Sequence, residues 1–403
     1  MWSNLKLIIP LINNPEILEY YRSAGYFLQG QIPYHDFYWE YPPGMLLIFG
    51  ILRFVAPDLE SFRLILFLWL LASLVVFIWL FNKFTNTTII KLHPGIDLAV
   101  TILILILALT TTKIFINPEI FVALLVLVAF AALNKQKFFL AGFLWGWATV
   151  IRIYPGLFLL LLLNYRRSLK KNLLTLVGFA LPWLITFLIL GGLPVMSGFF
   201  NSLTAQINRP PQIESVNASL MWLVSRSGNP LITQVQPEYM SINLLFVKSP
   251  EWWAIIGMIK WLPLILTIYF IIKSIKQTNY TEHLFYQLCL LLITGLITAH
   301  NVFSPQYLIW LWVPFGLWLI TAYKDKIVTP LQSIIYLAIF LIIHLLTTLI
   351  LTYYSLNKIH DLLNLKTTPM LIIMLRNLLI IGIWLVIFKK LVFTLKELRR
   401  NNN

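Results

Sequence analysis

The chain has 403 residues, of which 59% are hydrophobic and only 11% charged, with mean hydropathy +0.82 and a formal net charge of +15. So few charges cannot cover a soluble domain of this size, so the chain belongs among polytopic membrane proteins. The positive balance then reports orientation across a bilayer, nucleic acid is not an expected partner, and the lone Cys289 excludes an intrachain disulfide.

The first apolar run, "LKLIIPLI" (5–12), is too short to span or to form a signal-peptide core. Either the chain starts outside, or a first helix lies upstream of Met1. The opening loop follows and ends in "YHDFYWEYPPG" (34–44). Its acids are Glu16, Glu19, Asp36 and Glu40, and its aromatic residues are candidates for a sugar-stacking platform. A carboxylate at the mouth of a membrane cavity can take a proton from an acceptor hydroxyl. The bland alternative is a solvated loop. "PGMLLIFGILRFVA" (43–56) is too short to span and carries Arg53, so it is expected to lie as a helix at the outer interface.

Runs long enough to cross a bilayer lie near 61–82, 96–112, 118–134, 172–190, 252–273, 283–299, 305–322, 331–353 and 369–392. Residues 138–165 are read as two short spans broken at "RIYP" (152–155), because Pro155 lacks a backbone donor. The expectation is an all-α integral membrane protein with about eleven spans, a single membrane domain over 1–403, a first outer loop at 13–60 and a long outer loop at 191–251. With that count, the basic clusters at 82–93, 134–137, 165–171, 273–276, 323–326 and 389–400 fall on one side, the cytoplasmic one. Most acids fall on the other side; Asp97, Glu282, Asp325 and Glu397 are the exceptions. The C-terminus is then cytoplasmic.

Three further features gather on the expected outer side. Arg152 sits between two apolar stretches, where it either anchors at the interface or binds a phosphate headgroup. "NRPPQIESVNASLMWL" (208–223) carries Arg209, Gln212 and Glu214; Arg209 pairs there either with a phosphate or with Glu214. In "TAHNVFSPQYLIW" (298–310), Pro305 is expected to start a helix capped by Ser304, whose free N–H groups would form an anion site with His300, Gln306 and Tyr307. A cavity with a base, cations and an anion site suits chemistry on a lipid-linked phosphate.

Four stretches resemble one known family: "EILEYYRSAGYFLQGQIPYHDFYWEYPPG" (16–44), "RIYP" (152–155), "RPPQIESVNASL" (209–220) and "FSPQYLIWLWVP" (303–314). In this order they resemble the GT-C superfamily of polyprenyl-phosphate-sugar-dependent glycosyltransferases, and within it glycosyltransferase family 87. The resemblance implies GT-C architecture, a mannose-like hexose carried on a polyprenyl phosphate, and a lipid or glycan acceptor at the outer face of the plasma membrane. It implies Glu16 as the base, because the family places an acid four residues before a tyrosine, here Tyr20. The family acid is usually aspartate, so Glu19 competes for the role. Asp36, Glu40 and Glu214 support the loops. Family members carry a full helix before this acid, which implies a missing first helix here. No metal or other cofactor is expected: no metal-ligand spacing occurs, and no glycine-rich nucleotide loop. The alternatives are a flippase or transporter of lipid-linked saccharides, a polymerase or ligase, and an inactive truncated relative; the absence of an internal repeat weighs against the transporter.

Overall fold

The computed structural model describes residues 14–84, 104–105, 107, 115–165, 168–228, 231–238, 241–246, 250–274, 281–354 and 358–400. The run at 5–12, nearly all of the span expected at 96–112, and parts of the basic clusters at 82–93, 165–171 and 273–276 lie outside the described residues. The chain divides into two compact units, the first running to Gln206 and the second from Ile207.

The first unit contains α1 (Pro15–Leu28), α2 (Pro43–Val55), α3 (Leu59–Phe84), α4 (Glu119–Asn134), α5 (Phe138–Ile151), α6 (Phe158–Tyr165), α7 (Leu169–Leu190) and α8 (Leu193–Asn208). The Asn14 side chain caps α1 by accepting from the Glu16 N–H at 2.8 Å. α2 has thirteen residues, enough for only about 20 Å, as expected of a helix that does not span. The break foreseen at 152–155 is present: α5 stops at Ile151, Arg152 is extended, and a 3-10 turn, Tyr154–Leu157, leads into α6.

α5 and α7 pack at backbone contact. A methyl group on Gly142 would lie 2.0 Å from the Thr175 carbonyl oxygen, and one on Gly146 would lie 2.4 Å from that of Phe179. Across the interface, one on Gly178 would lie 2.3 Å from the Phe139 carbonyl oxygen. Small residues four apart let two helices approach where lipid supplies no hydrophobic drive. Gly44 of α2 likewise meets the Val150 backbone, which brings α2 against the end of α5.

The second unit contains α9 (Val216–Arg226), β1 (Ile232–Glu238), β2 (Ser241–Phe246), α10 (Pro250–Ser274), α11 (Glu282–Ala299), α12 (Trp312–Lys324), α13 (Pro330–Thr352), α14 (Ile359–Leu363) and α15 (Thr367–Arg400). α11 is almost wholly buried, and Gly295 on it lets the α10 backbone at Leu264 approach closely. The segment 191–251 is not an open loop: it holds α8, α9 and an antiparallel hairpin in which Val235 faces Leu244 and Gln236 faces Asn243. That hairpin departs from an all-α reading. It forms because Ile242 and Leu244 turn one face into a core with Ile213, Trp222, Ile350 and Met370.

Six helices among the described residues are long and apolar enough to cross a membrane: Leu59–Phe84, Leu169–Leu190, Ala254–Ser274, Glu282–Ala299, Pro330–Thr352 and Thr367–Lys396. α4 and α5 are apolar but shorter. The protein is thus a helical membrane protein.

Candidate active site

The first unit carries a buried polar cluster assembled from three chain segments. Glu16 opens α1 and is 8% exposed; its Oε2 accepts from Asn117 Nδ2 at 3.0 Å. Asn117 is fully buried, and its Oδ1 accepts from the Tyr20 hydroxyl at 2.6 Å and from Arg152 Nη2 at 3.5 Å. Arg152 Nε donates to Glu119 Oε1 at 2.5 Å, with both side chains buried. The same guanidinium meets Met45 Sδ at 3.2 Å and the Tyr41 ring at 4.9 Å. One turn of helix explains the spacing of Glu16 and Tyr20: residues four apart share a face, and here that face meets Asn117. Tyr20 is fixed in turn by stacking on Phe49, with ring centroids 4.4 Å apart.

Asn117 and Glu119 flank Pro118 at the start of α4, and Arg152 follows the end of α5. Because α4 and α5 form a helical hairpin, its open end gathers these groups, and the Lys135–Lys137 turn lies at the opposite end. Burial this deep does not suit an interfacial anchor for Arg152, whose charge is matched by Glu119.

Glu19 stands apart: it is exposed and accepts from Ser23 Oγ at 3.3 Å. Asp36 braces its own turn through the Ile32 N–H at 2.7 Å. That bond first, and His35 second, hold its carboxyl below the ordinary carboxylate value. Glu40 accepts from Gln206 Nε2 at 2.8 Å. The loop's aromatic residues mostly pack inward, Trp39 against Tyr20, Tyr41 and Phe49; Tyr26 and Tyr38 are the exposed rings among them. A broad stacking platform is therefore not what the loop forms.

The second unit holds two polar clusters of its own. Glu214 does not pair with Arg209. Its Oε2 accepts from Arg376 Nη1 at 3.1 Å, both side chains are buried, and its backbone carbonyl accepts from Arg376 Nη2 at 2.5 Å. Asn377 reinforces the pair by bonding the same carbonyl and Ser219, and the guanidinium lies 4.3 Å from the Phe303 ring centre. Arg209 instead donates to Ser241 Oγ at 2.8 Å.

Asn301 organises the other cluster. It donates to the Arg209 carbonyl at 2.9 Å and accepts from Lys260 Nζ at 2.7 Å and from Asn217 at 3.0 Å. His300 lies beside it. Burial pushes the His300 ring below the ordinary histidine value; the Val302 carbonyl opposes this, and Lys260 and Arg209 add to it.

The expected Ser304 cap is absent. Its hydroxyl bonds Gln306 Oε1 at 2.5 Å, and Pro305 starts a seven-residue 3-10 segment instead of an α-helix. The helical start at Pro305 is thus present, as a 3-10 segment that runs into α12, but without the side-chain cap. Tyr307 stacks on Trp310 with centroids 4.0 Å apart.

Sequence reasoning missed Asn117, Glu119, Lys260 and Arg376. The signals were present. Glu119 is the one acid between Asp97 and Glu214, and Lys260 and Arg376 interrupt apolar runs where a charge is costly. Among the described residues, no three His, Cys, Asp or Glu side chains gather as a metal site would require.

Six helices of spanning length and a buried arginine–carboxylate pair in each unit mark an integral membrane protein with polar groups held in its interior. The family model of glycosyltransferase family 87 matches residues 39–299, well over half the chain, and the chain belongs to that family. It is accordingly a membrane glycosyltransferase. The matched segment includes Asn117, Glu119, Arg152, Arg209, Glu214 and Lys260, and begins after Glu16 and Tyr20. No curated protein matches the chain.

Proposed function

We propose that the enzyme transfers a mannose-like hexose from a polyprenyl-phosphate donor to a hydroxyl of a lipid or glycan acceptor, at the outer face of the plasma membrane, with its C-terminus cytoplasmic. The observation that carries this reading is the buried Glu16 carboxylate, held by an amide donor within a family of glycosyltransferases. An inverting transfer needs a base at the acceptor and positive charge at the leaving group. Glu16 takes the acceptor proton, and the hydroxyl oxygen bonds the anomeric carbon. The bond from that carbon to the lipid phosphate breaks, and the phosphate leaves with the electron pair. Exposed Glu19 has no comparable setting.

Within the second unit, Asn301 accepts from Lys260 and donates to the Arg209 backbone carbonyl with His300 beside it, and Arg209 and His300 are proposed to bind an anionic group of the substrate. Gln306 and Tyr307 are proposed as hydrogen-bonding groups to the donor. Outward action is supported by the α4–α5 hairpin: its turn carries Lys135 and Lys137, the kind of loop that stays in the cytoplasm, and the Glu16 cluster lies at the other end.

The test is turnover and donor binding of Glu16→Gln and Glu19→Gln in the same membranes. Glu16→Gln keeps size and hydrogen bonding but cannot take the proton, so turnover should fall about 10²–10⁴-fold with donor binding retained. Glu19→Gln should be mild. A dead Glu19→Gln beside a normal Glu16→Gln would show that the base is misassigned.

A further inference from the structure

We propose that Asn117 is a positioning residue that aims the Glu16 carboxylate at the acceptor, and that the Arg152–Glu119 pair and Tyr20 hold Asn117 in the orientation this needs. The inference rests on Glu16 being the base. Its ground is the chemistry of the contacts around one amide. Oδ1 of Asn117 faces the Tyr20 hydroxyl at 2.6 Å and Arg152 Nη2 at 3.5 Å; the guanidinium can only donate, while the hydroxyl can donate or accept and follows the amide. Nδ2 faces the Glu16 carboxylate at 3.0 Å, which when ionised can only accept. A flipped amide would set N–H against guanidinium N–H and carbonyl oxygen against carboxylate. The surroundings thus admit one orientation, and in it Asn117 always presents a donor to Glu16.

Each support has its own reason to stay still. Arg152 is buried and paired with Glu119 at 2.5 Å. Tyr20 is fully buried and stacked on Phe49. Glu16 itself has its backbone N–H fixed by the Asn14 cap. A base must lie within hydrogen-bond reach of the proton it takes, and a misplacement of about 1 Å can cost about 100-fold in rate. Asn117 holds one carboxylate oxygen, which narrows the directions the other can take.

The experiment measures kcat, KM for the lipid-linked donor, and unfolding temperature in wild type, Asn117→Ala, Tyr20→Phe, Glu16→Gln, and the pairings Asn117→Ala/Glu16→Gln and Asn117→Ala/Tyr20→Phe. Asn117→Ala should lower kcat about 10–100-fold with KM within about twofold. Tyr20→Phe keeps the stacked ring and removes only the hydroxyl, so it should lower kcat less, in the same direction. Because Asn117 acts through Glu16, adding Asn117→Ala to Glu16→Gln should cost no further kcat, and Tyr20→Phe should add nothing on the Asn117→Ala background. Additive losses in these pairings, or a shift in KM and unfolding temperature without a shift in kcat, would make Asn117 merely structural. If Asn117→Ala does not fold, Tyr20→Phe decides: unchanged kcat overturns the proposal. Normal turnover in Glu16→Gln would instead remove the base, and the positioning role with it. A dead Glu16→Gln beside a normal Asn117→Ala removes the positioning role alone.

Discussion

The Arg152–Glu119 pair should prove a large determinant of stability when broken and a small one when replaced whole. Glu119 Oε1 lies 2.5 Å from Arg152 Nε, and their side chains are 0% and 7% exposed. Glu119→Gln keeps the shape and leaves a buried guanidinium without its counter-charge. Removing one partner of a buried pair costs about 3–5 kcal/mol, because the remaining charge stays desolvated. Arg152→Met fills the same space and leaves the carboxylate unmatched, with a similar loss expected. The double replacement Arg152→Met/Glu119→Leu leaves neither member of the pair facing the other's absence, so it should be more stable than either single variant. A double-mutant cycle by denaturant titration in mixed micelles reads this directly. The reasoning fails if Glu119→Gln loses less than about 1 kcal/mol, or if the double variant is as unstable as the two losses added.

Three further outcomes are expected. Gly142→Ala should cost at least about 3 kcal/mol or abolish folded protein, since its methyl would meet the Thr175 carbonyl oxygen at 2.0 Å; Gly257→Ala, with nothing within 4 Å, should be neutral or stabilising, and thermal unfolding of both variants checks the contrast. His300 is held below the ordinary histidine value, chiefly by burial, so its contribution to stability is full above about pH 6.5 and is lost as the pH falls towards its folded value. Unfolding temperature should therefore drop more between pH 7.5 and about 5.5 in wild type than in His300→Asn; equal slopes would contradict this. A cysteine placed at exposed Tyr38 should label from outside intact cells and one at Gln136 only after permeabilisation; the native Cys289 is buried and gives little background.

Much of the fold is legible in the sequence because lipid imposes a simple rule. Apolar runs of spanning length became α3, α7, α10, α11, α13 and α15, and thirteen residues with an arginine became a helix too short to span. The break at Arg152–Pro155 was readable from the proline alone. The hairpin was not, since "LITQVQPE" and "SINLLF" read as loop until Ile242 and Leu244 find Ile213 and Trp222. At the site, the sequence reveals which residues are costly but not who matches them. Arg152 and Glu119 are 33 residues apart, and Glu214 and Arg376 are 162 apart. Arg209 was the nearer partner for Glu214 along the chain, but folding brought in Arg376. The Ser304 cap failed for a local reason, because its hydroxyl turns to Gln306.

The central claim is that the sugar comes from a lipid-linked phosphate and that Glu16 activates the acceptor. The most direct measurement supplies labelled mannose, glucose and arabinose on polyprenyl phosphate, and the matching nucleotide sugars, to membranes carrying wild type or Glu16→Gln. Wild type should incorporate mannose from polyprenyl-phosphate mannose, Glu16→Gln should lose about 10²–10⁴-fold, and neither should use the nucleotide sugars directly. Incorporation from a nucleotide sugar with the lipid-linked donors inert, or full activity in Glu16→Gln, would contradict it.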